Sequence, residues 1–115
     1  MHARTDSALD AADLEDLKGS LVRLRRENEA DIAQAREALE TLTADHSIGS
    51  ASLQEVAGNA EYTIADALSI IALIDTALDR MAKGEYGICV TCKQPIPLAR
   101  LQLRPYGTTC VPCSA

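Results

Sequence analysis

The sequence predicts a mainly α fold: an antiparallel two-helix coiled-coil hairpin followed by a small four-cysteine finger. Three observations carry this. Two long segments repeat apolar residues in alternating steps of three and four. A short stretch rich in turn-forming residues separates them. All four cysteines and all four prolines then fall within residues 84–115.

Composition narrows the choice. The chain has 115 residues, and 47% of them are apolar, but Ala supplies much of that share. There is no Phe or Trp, and there are three Tyr. A globular centre normally uses large aromatics, whereas a seam between two helices needs only Leu, Ile and Ala. The net charge is -6 and is unevenly spread. Residues 1–83 sum to -8, and residues 84–115 to +2, from Lys93, Arg100 and Arg104 against Glu85. An acidic body suits a basic protein surface better than a phosphate backbone. The opening Met1-His2-Ala3-Arg4-Thr5-Asp6 has no apolar leader behind it. The longest apolar stretch, around Ile70 to Ile74, falls far short of the ~18 residues of a membrane span. A cytoplasmic location is therefore expected, and there free cysteines favour metal over disulfides.

In chain order, residues 1–9 read as a flexible tail. Asp10 or Asp13 is the expected N-cap, with Glu15 and Asp16 adding acid to the first turns. The first heptad runs Leu14, Leu17, Leu21, Leu24, Asn28, Asp31, Ala35, Ala38, Leu42. Asn28 and Asp31 interrupt it, and Ile32 and Leu39 stand ready to widen the seam. Gly19 weakens the helix interior slightly. The tip is expected near residues 43–52, where the period fades. A second heptad follows: Leu53, Ala57, Ala60, Ile64, Ala67, Ile71, Ile74, Leu78, Met81. Gly58 loosens its start. Lys83 and Gly84 form its expected end, a cation in the last turn and a glycine at C′. Each segment of roughly 35 residues makes a helix of ~50 Å. A short loop between equal partners implies that residues 10–83 close on themselves within one chain, as a monomer, leaving two helices of an ordinary bundle or a homodimeric coiled coil as the alternatives.

Residues 84–115 carry the chemistry. Cys89 and Cys92 are separated by two residues, as are Cys110 and Cys113, with 17 residues between the pairs. This spacing lets four thiolates grip one tetrahedral zinc ion at ~2.3 Å. The apolar content is too small to fold alone, and one structural zinc supplies ~10 kcal/mol or more. Four filled positions leave no open site, so zinc catalysis is not expected, and no nucleophile–base constellation or phosphate loop suggests an enzyme. His2 and His46 lie far along the chain and are read as solvated side chains.

The run Gly84-Glu85-Tyr86-Gly87-Ile88-Cys89-Val90-Thr91-Cys92 is followed by Pro95-Ile96-Pro97-Leu98-Ala99-Arg100-Leu101-Gln102-Leu103-Arg104-Pro105 and by Cys110-Val111-Pro112-Cys113. On these residues the chain resembles the DksA/TraR family of four-cysteine zinc-finger transcription regulators. The resemblance implies a protein that binds RNA polymerase directly, with its coiled coil in the secondary channel and without specific DNA binding. Family members that alter initiation often carry Asp-x-x-Asp-x-Ala at the coiled-coil tip. Counting back from Cys89, the two acids fall at His46 and Gly49 and the alanine at Ala51. A one-residue gap brings Asp45 to the first position, and nothing acidic fills the second. Arg100 and Arg104, four apart, are expected on one face of a short helix starting near Pro97. They are read either as polymerase contacts or as structural arginines tying finger to coiled coil. Asp45, Ala51, Arg100 and Arg104 are thus the candidate polymerase contacts. The alternative function is a zinc-ribbon module for nucleic acid or protein, unrelated to polymerase. Its nucleic-acid form needs a basic, aromatic surface, for which the finger offers only Tyr86, Tyr106 and a charge of +2.

Overall fold

The computed structural model describes residues 9–44 and 49–114. Four helices follow in order: α1 (Ala11–Ala44), α2 (Ser50–Ala82), α3 (Leu98–Leu103) and α4 (Val111–Ser114). The described residues contain no strand, only an antiparallel bridge between Ile88 and Pro95. None of their helices is long and apolar enough to cross a membrane. The fold is mainly helical, with two long helices packed against each other ahead of a four-cysteine cluster.

Helix α1 starts with a reciprocal cap. The Asp13 amide donates to Asp10 Oδ1 at 2.7 Å, and the Asp10 amide donates back to Asp13 Oδ2 at 3.3 Å. Asp10 is the cap, and Asp13 plays the role that Glu or Gln takes in a capping box. Helix α2 ends as the sequence suggests. Gly84 has a φ of 75°, the left-handed region where only glycine is unstrained. Its amide donates to the Met81 carbonyl at 3.1 Å, and the Glu85 amide to that of Arg80 at 2.8 Å. Those two bonds make a Schellman motif, which satisfies the last carbonyls and turns the chain into the finger.

The chain divides into two compact units. In Met1–Leu24 with Leu73–Ala115, the start of α1 packs on the end of α2 and on the finger. On the two long helices its buried residues are Leu17, Leu21, Ile74 and Ala77, of which Leu21 and Ile74 are wholly enclosed. In Arg25–Ala72 the seam is built from Ile32, Ala35, Leu42, Ala60 and Ala67. There Asp31 is exposed and Ile32 is buried in its place. Moving one position lets an isoleucine face the seam and leaves the carboxylate in water, where an unpaired charge belongs. Ile71 is only half-buried.

Candidate metal centre

The finger is built on a tight hairpin. The Cys89 amide donates to the Gln94 carbonyl at 2.8 Å, and the Ile96 amide to that of Gly87 at 2.7 Å, on either side of the Ile88–Pro95 bridge. At the bend the Lys93 amide donates to the Cys89 carbonyl at 2.9 Å, and Lys93 takes a φ of 65°. The Cys92 amide points at Cys89 Sγ, 3.5 Å away. A tight turn aims successive amides inward at one sulfur, and this one places Cys92 beside Cys89. The second pair straddles the start of α4: Cys110 immediately precedes it and Cys113 lies within it. Three residues along a helical turn bring both side chains to one face. The Val90 amide donates to the Thr108 carbonyl at 2.9 Å and joins the two halves.

All four sulfurs lie within 4.8 Å of one another, with Cys92 and Cys110 sulfurs 3.6 Å apart. Thiolates around a tetrahedral zinc at ~2.3 Å stand about 3.8 Å apart, so the cluster fits one ion. The four cysteines are positioned to hold it with no protein-side vacancy. Their thiols divide sharply. Backbone amides, that of Cys92 foremost, hold Cys89 down to about 5, whereas the neighbouring sulfurs, Cys110 first, push Cys113 up to about 12. One thiolate forms readily, while Cys92 and Cys113 are held up in part by the neighbouring sulfurs, an opposition that a bound dication removes.

Below the cluster lies a small core of Tyr86, Ile96 and Leu101. The Tyr86 hydroxyl donates to the Pro105 carbonyl at 2.8 Å, and burial pushes its pKa up to about 12. Gly87, at a φ of 86°, leaves room for Leu9; a Cβ there would stand 3.1 Å from Leu9 Cδ1 and 3.8 Å from Leu101 Cδ1. Leu9, read from sequence as the end of a tail, is half-buried against the finger. Its apolar character just ahead of the Asp10 cap was the available signal. Arg80, near the end of α2, donates through Nη2 to the carbonyls of Glu85 and Ile88, both at 2.8 Å. It joins helix to finger, and sequence reasoning missed it because no period marks bonds reaching five and eight residues ahead.

The two candidate arginines part company. Arg100, half-buried on α3, donates from Nε to the Thr109 carbonyl at 3.0 Å and so braces the segment before Cys110. Arg104 is exposed and its guanidinium lies 5.6 Å from the centre of the Tyr106 ring. They do not share a helical face, because Arg104 leaves the helix at φ -141°, ψ 82°. Pro105 explains this: the residue before a proline is steered out of the helical region. The tip candidate Asp45 lies outside the described residues, as do His2 and His46; Ala51 lies in the first turn of α2.

Residues 84–115 match the prokaryotic dksA/traR C4-type zinc finger family. The fold matches the solved structure of transcription factor DksA2 from Pseudomonas aeruginosa, with a TM-score of 0.82 and 31% sequence identity. That match covers 91% of this chain and 82% of the other. The chain belongs to the DksA/TraR family. Its zinc finger is of the C4 type, for one metal ion. By sequence, it is 48% identical over 42 residues to the RNA polymerase-binding transcription factor DksA of Caulobacter vibrioides. It is 44% identical over 41 residues to an uncharacterized protein of Aquifex aeolicus. The matched segments span 30% and 28% of those two relatives.

Proposed function

We propose that this protein is a cytoplasmic, non-enzymatic transcription regulator that binds RNA polymerase directly, with its hairpin in the secondary channel and no sequence-specific contact to DNA. The observation that carries the reading is the fold and sequence match to transcription factor DksA2 over most of both chains. A relative named for polymerase binding is 48% identical over 42 residues. The acidic helical part, at -8, agrees with a partner other than nucleic acid. Cys89, Cys92, Cys110 and Cys113 are the ligands of one structural zinc, which closes the finger and takes no part in a reaction. Of the candidate contacts, Arg104 offers an open guanidinium and Arg100 acts through the chain it braces.

At the tip, Asp45 is the single acid among residues 45–51. A lone carboxylate cannot reproduce the paired contacts of two. The protein therefore acts chiefly as a channel occupant, with a weaker or different effect on initiation than relatives carrying two tip acids. Co-purification from native extract tests the class: core polymerase subunits are expected with the tagged chain, and their absence refutes the reading. Asp45→Ala is expected to leave binding intact. A changed output from a short-lived promoter complex would show a working tip, against simple occupancy.

A further inference from the structure

At the foot of the hairpin the heptads and the packing disagree. Leu14, Leu78 and Met81 hold seam positions by sequence, but Leu14 is 36% exposed, Leu78 and Met81 are half-buried, and Ala77 is enclosed in their stead. The three large side chains instead line an open groove of about 480 Å³ between the start of α1 and the end of α2. Apolar surface gathered in a groove calls for a cover, unlike a single leucine in water. Among the described residues the finger supplies none. Its α3 lies on the other flank of α1, where Leu98 and Gln102 share a cleft with Asp16, Leu17 and Ser20. Asp16 and Ser20 stand roughly 160° around the helix from Lys18 and Val22, which line the groove.

The α1 wall selects the occupant. Ala11, Glu15, Lys18 and Val22 line it in steps of four, three and four, one stripe of the helix. The stripe is palindromic in spacing and complementary in kind. An antiparallel copy, related by a two-fold axis passing between Glu15 and Lys18, sets each Glu15 against the partner's Lys18 and each small Ala11 against the partner's Val22. Neither Glu15 nor Lys18 makes an ion pair among the described residues. An acidic or a basic partner would satisfy one of them and oppose the other. A surface that carries the same pair in reverse answers both, and this chain is one. We infer that the groove is a self-association face, through which two copies pack α1 against α1 and cover Leu14, Leu78 and Met81. The net charge of -6 resists the approach, so the dimer is weak at low salt and tightens as screening limits the repulsion to about 8 Å. It forms whether or not the chain binds polymerase.

Sedimentation equilibrium of the zinc-loaded full chain at about 0.15 M salt tests this. Reversible dimerisation is expected, with the dimer predominant by about 1 mM. Glu15→Lys and Lys18→Glu each set like charges together at two symmetric contacts and are expected to weaken it about tenfold. The double variant restores the pairing, and its affinity is expected within about threefold of wild type. Leu14→Ser is expected to weaken the dimer by about tenfold or more. All three side chains are exposed, so helical signal and zinc content are expected to hold. A chain that stays monomeric up to about 1 mM overturns the inference and leaves the groove to a different partner. A dimer that Leu14→Ser leaves unchanged, or a double variant as weak as the single ones, overturns it as well. So does a full chain that is monomeric but dimerises once residues 1–8 are removed, which would give the groove to that segment.

Discussion

Around Leu21 and Ile74 the molecule is a seam, built from leucine, isoleucine and alanine that recur along two long helices. Around Tyr86, Ile96 and Leu101 it is a patch of three side chains beneath four sulfurs. The seam gathers its stability in small, repeated increments from apolar burial, so it tolerates a polar intruder such as Asn28. The finger has almost no repetition. Its stability concentrates in one metal centre and a few backbone bonds, and losing a single ligand removes most of it. Arg80 is the joint, for its guanidinium is held by carbonyls on the finger side of the Schellman turn.

The largest break in this contrast is Cys110→Ser. It should abolish stoichiometric zinc binding, a loss on the order of 10 kcal/mol of binding free energy, and unfold residues 84–115. Most of the far-ultraviolet helical signal should survive, because α1 and α2 do not depend on the metal. Elemental analysis with circular dichroism reads both halves, and collapse of the whole helical signal would show that the seam depends on the finger.

Next in size is Ile74→Asp, which places a charge at a wholly enclosed seam position and should destabilise the hairpin by about 4 kcal/mol. Ile71→Asp should be clearly milder, since Ile71 is half-buried. Chemical denaturation of the two variants should preserve that order. Arg80→Ala should follow at about 2 kcal/mol, the strength of charged hydrogen bonds left without their donor. Its signature would be faster amide exchange at residues 85–90 with zinc content intact.

The smallest effect belongs to Tyr86→Phe, about 1 kcal/mol for the lost bond to the Pro105 carbonyl. It carries a pH signature. Burial raises the Tyr86 pKa to about 12, above its ordinary value of 10.0, so the folded finger favours the neutral phenol. That contribution is complete below the unfolded value and is lost as pH rises through the folded one. Wild-type finger should weaken between about pH 10 and about pH 12, and Tyr86→Phe should lose this part of the dependence. Parallel alkaline titrations of the two would contradict the assignment.

Much of this was legible because it obeys a period or a spacing. Alternating steps of three and four revealed the seam, and one slip, Asp31 giving way to Ile32, was visible as a polar residue beside an apolar one; a second, Ala77 enclosed where Leu78 was expected and Leu14 left exposed, was not. Two Cys-x2-Cys pairs announced a metal centre without any knowledge of the turn that aligns them. What escaped depends on contacts across unrelated positions. Arg80 reaches past a helix end, and Leu9 finds its place only because Gly87 has no side chain. Lys93 adopts a left-handed backbone that its type does not advertise. The parting of Arg100 and Arg104 was written in Pro105, but the spacing of four had suggested one face.

The most direct measurement is a titration of zinc-loaded protein against purified core RNA polymerase, followed by challenge with DksA from Caulobacter vibrioides. The expected result is saturable binding of one chain per enzyme, reversed by that relative, as the docking site proposed above requires. Absence of saturable binding, or binding that the relative leaves undisturbed, would contradict it.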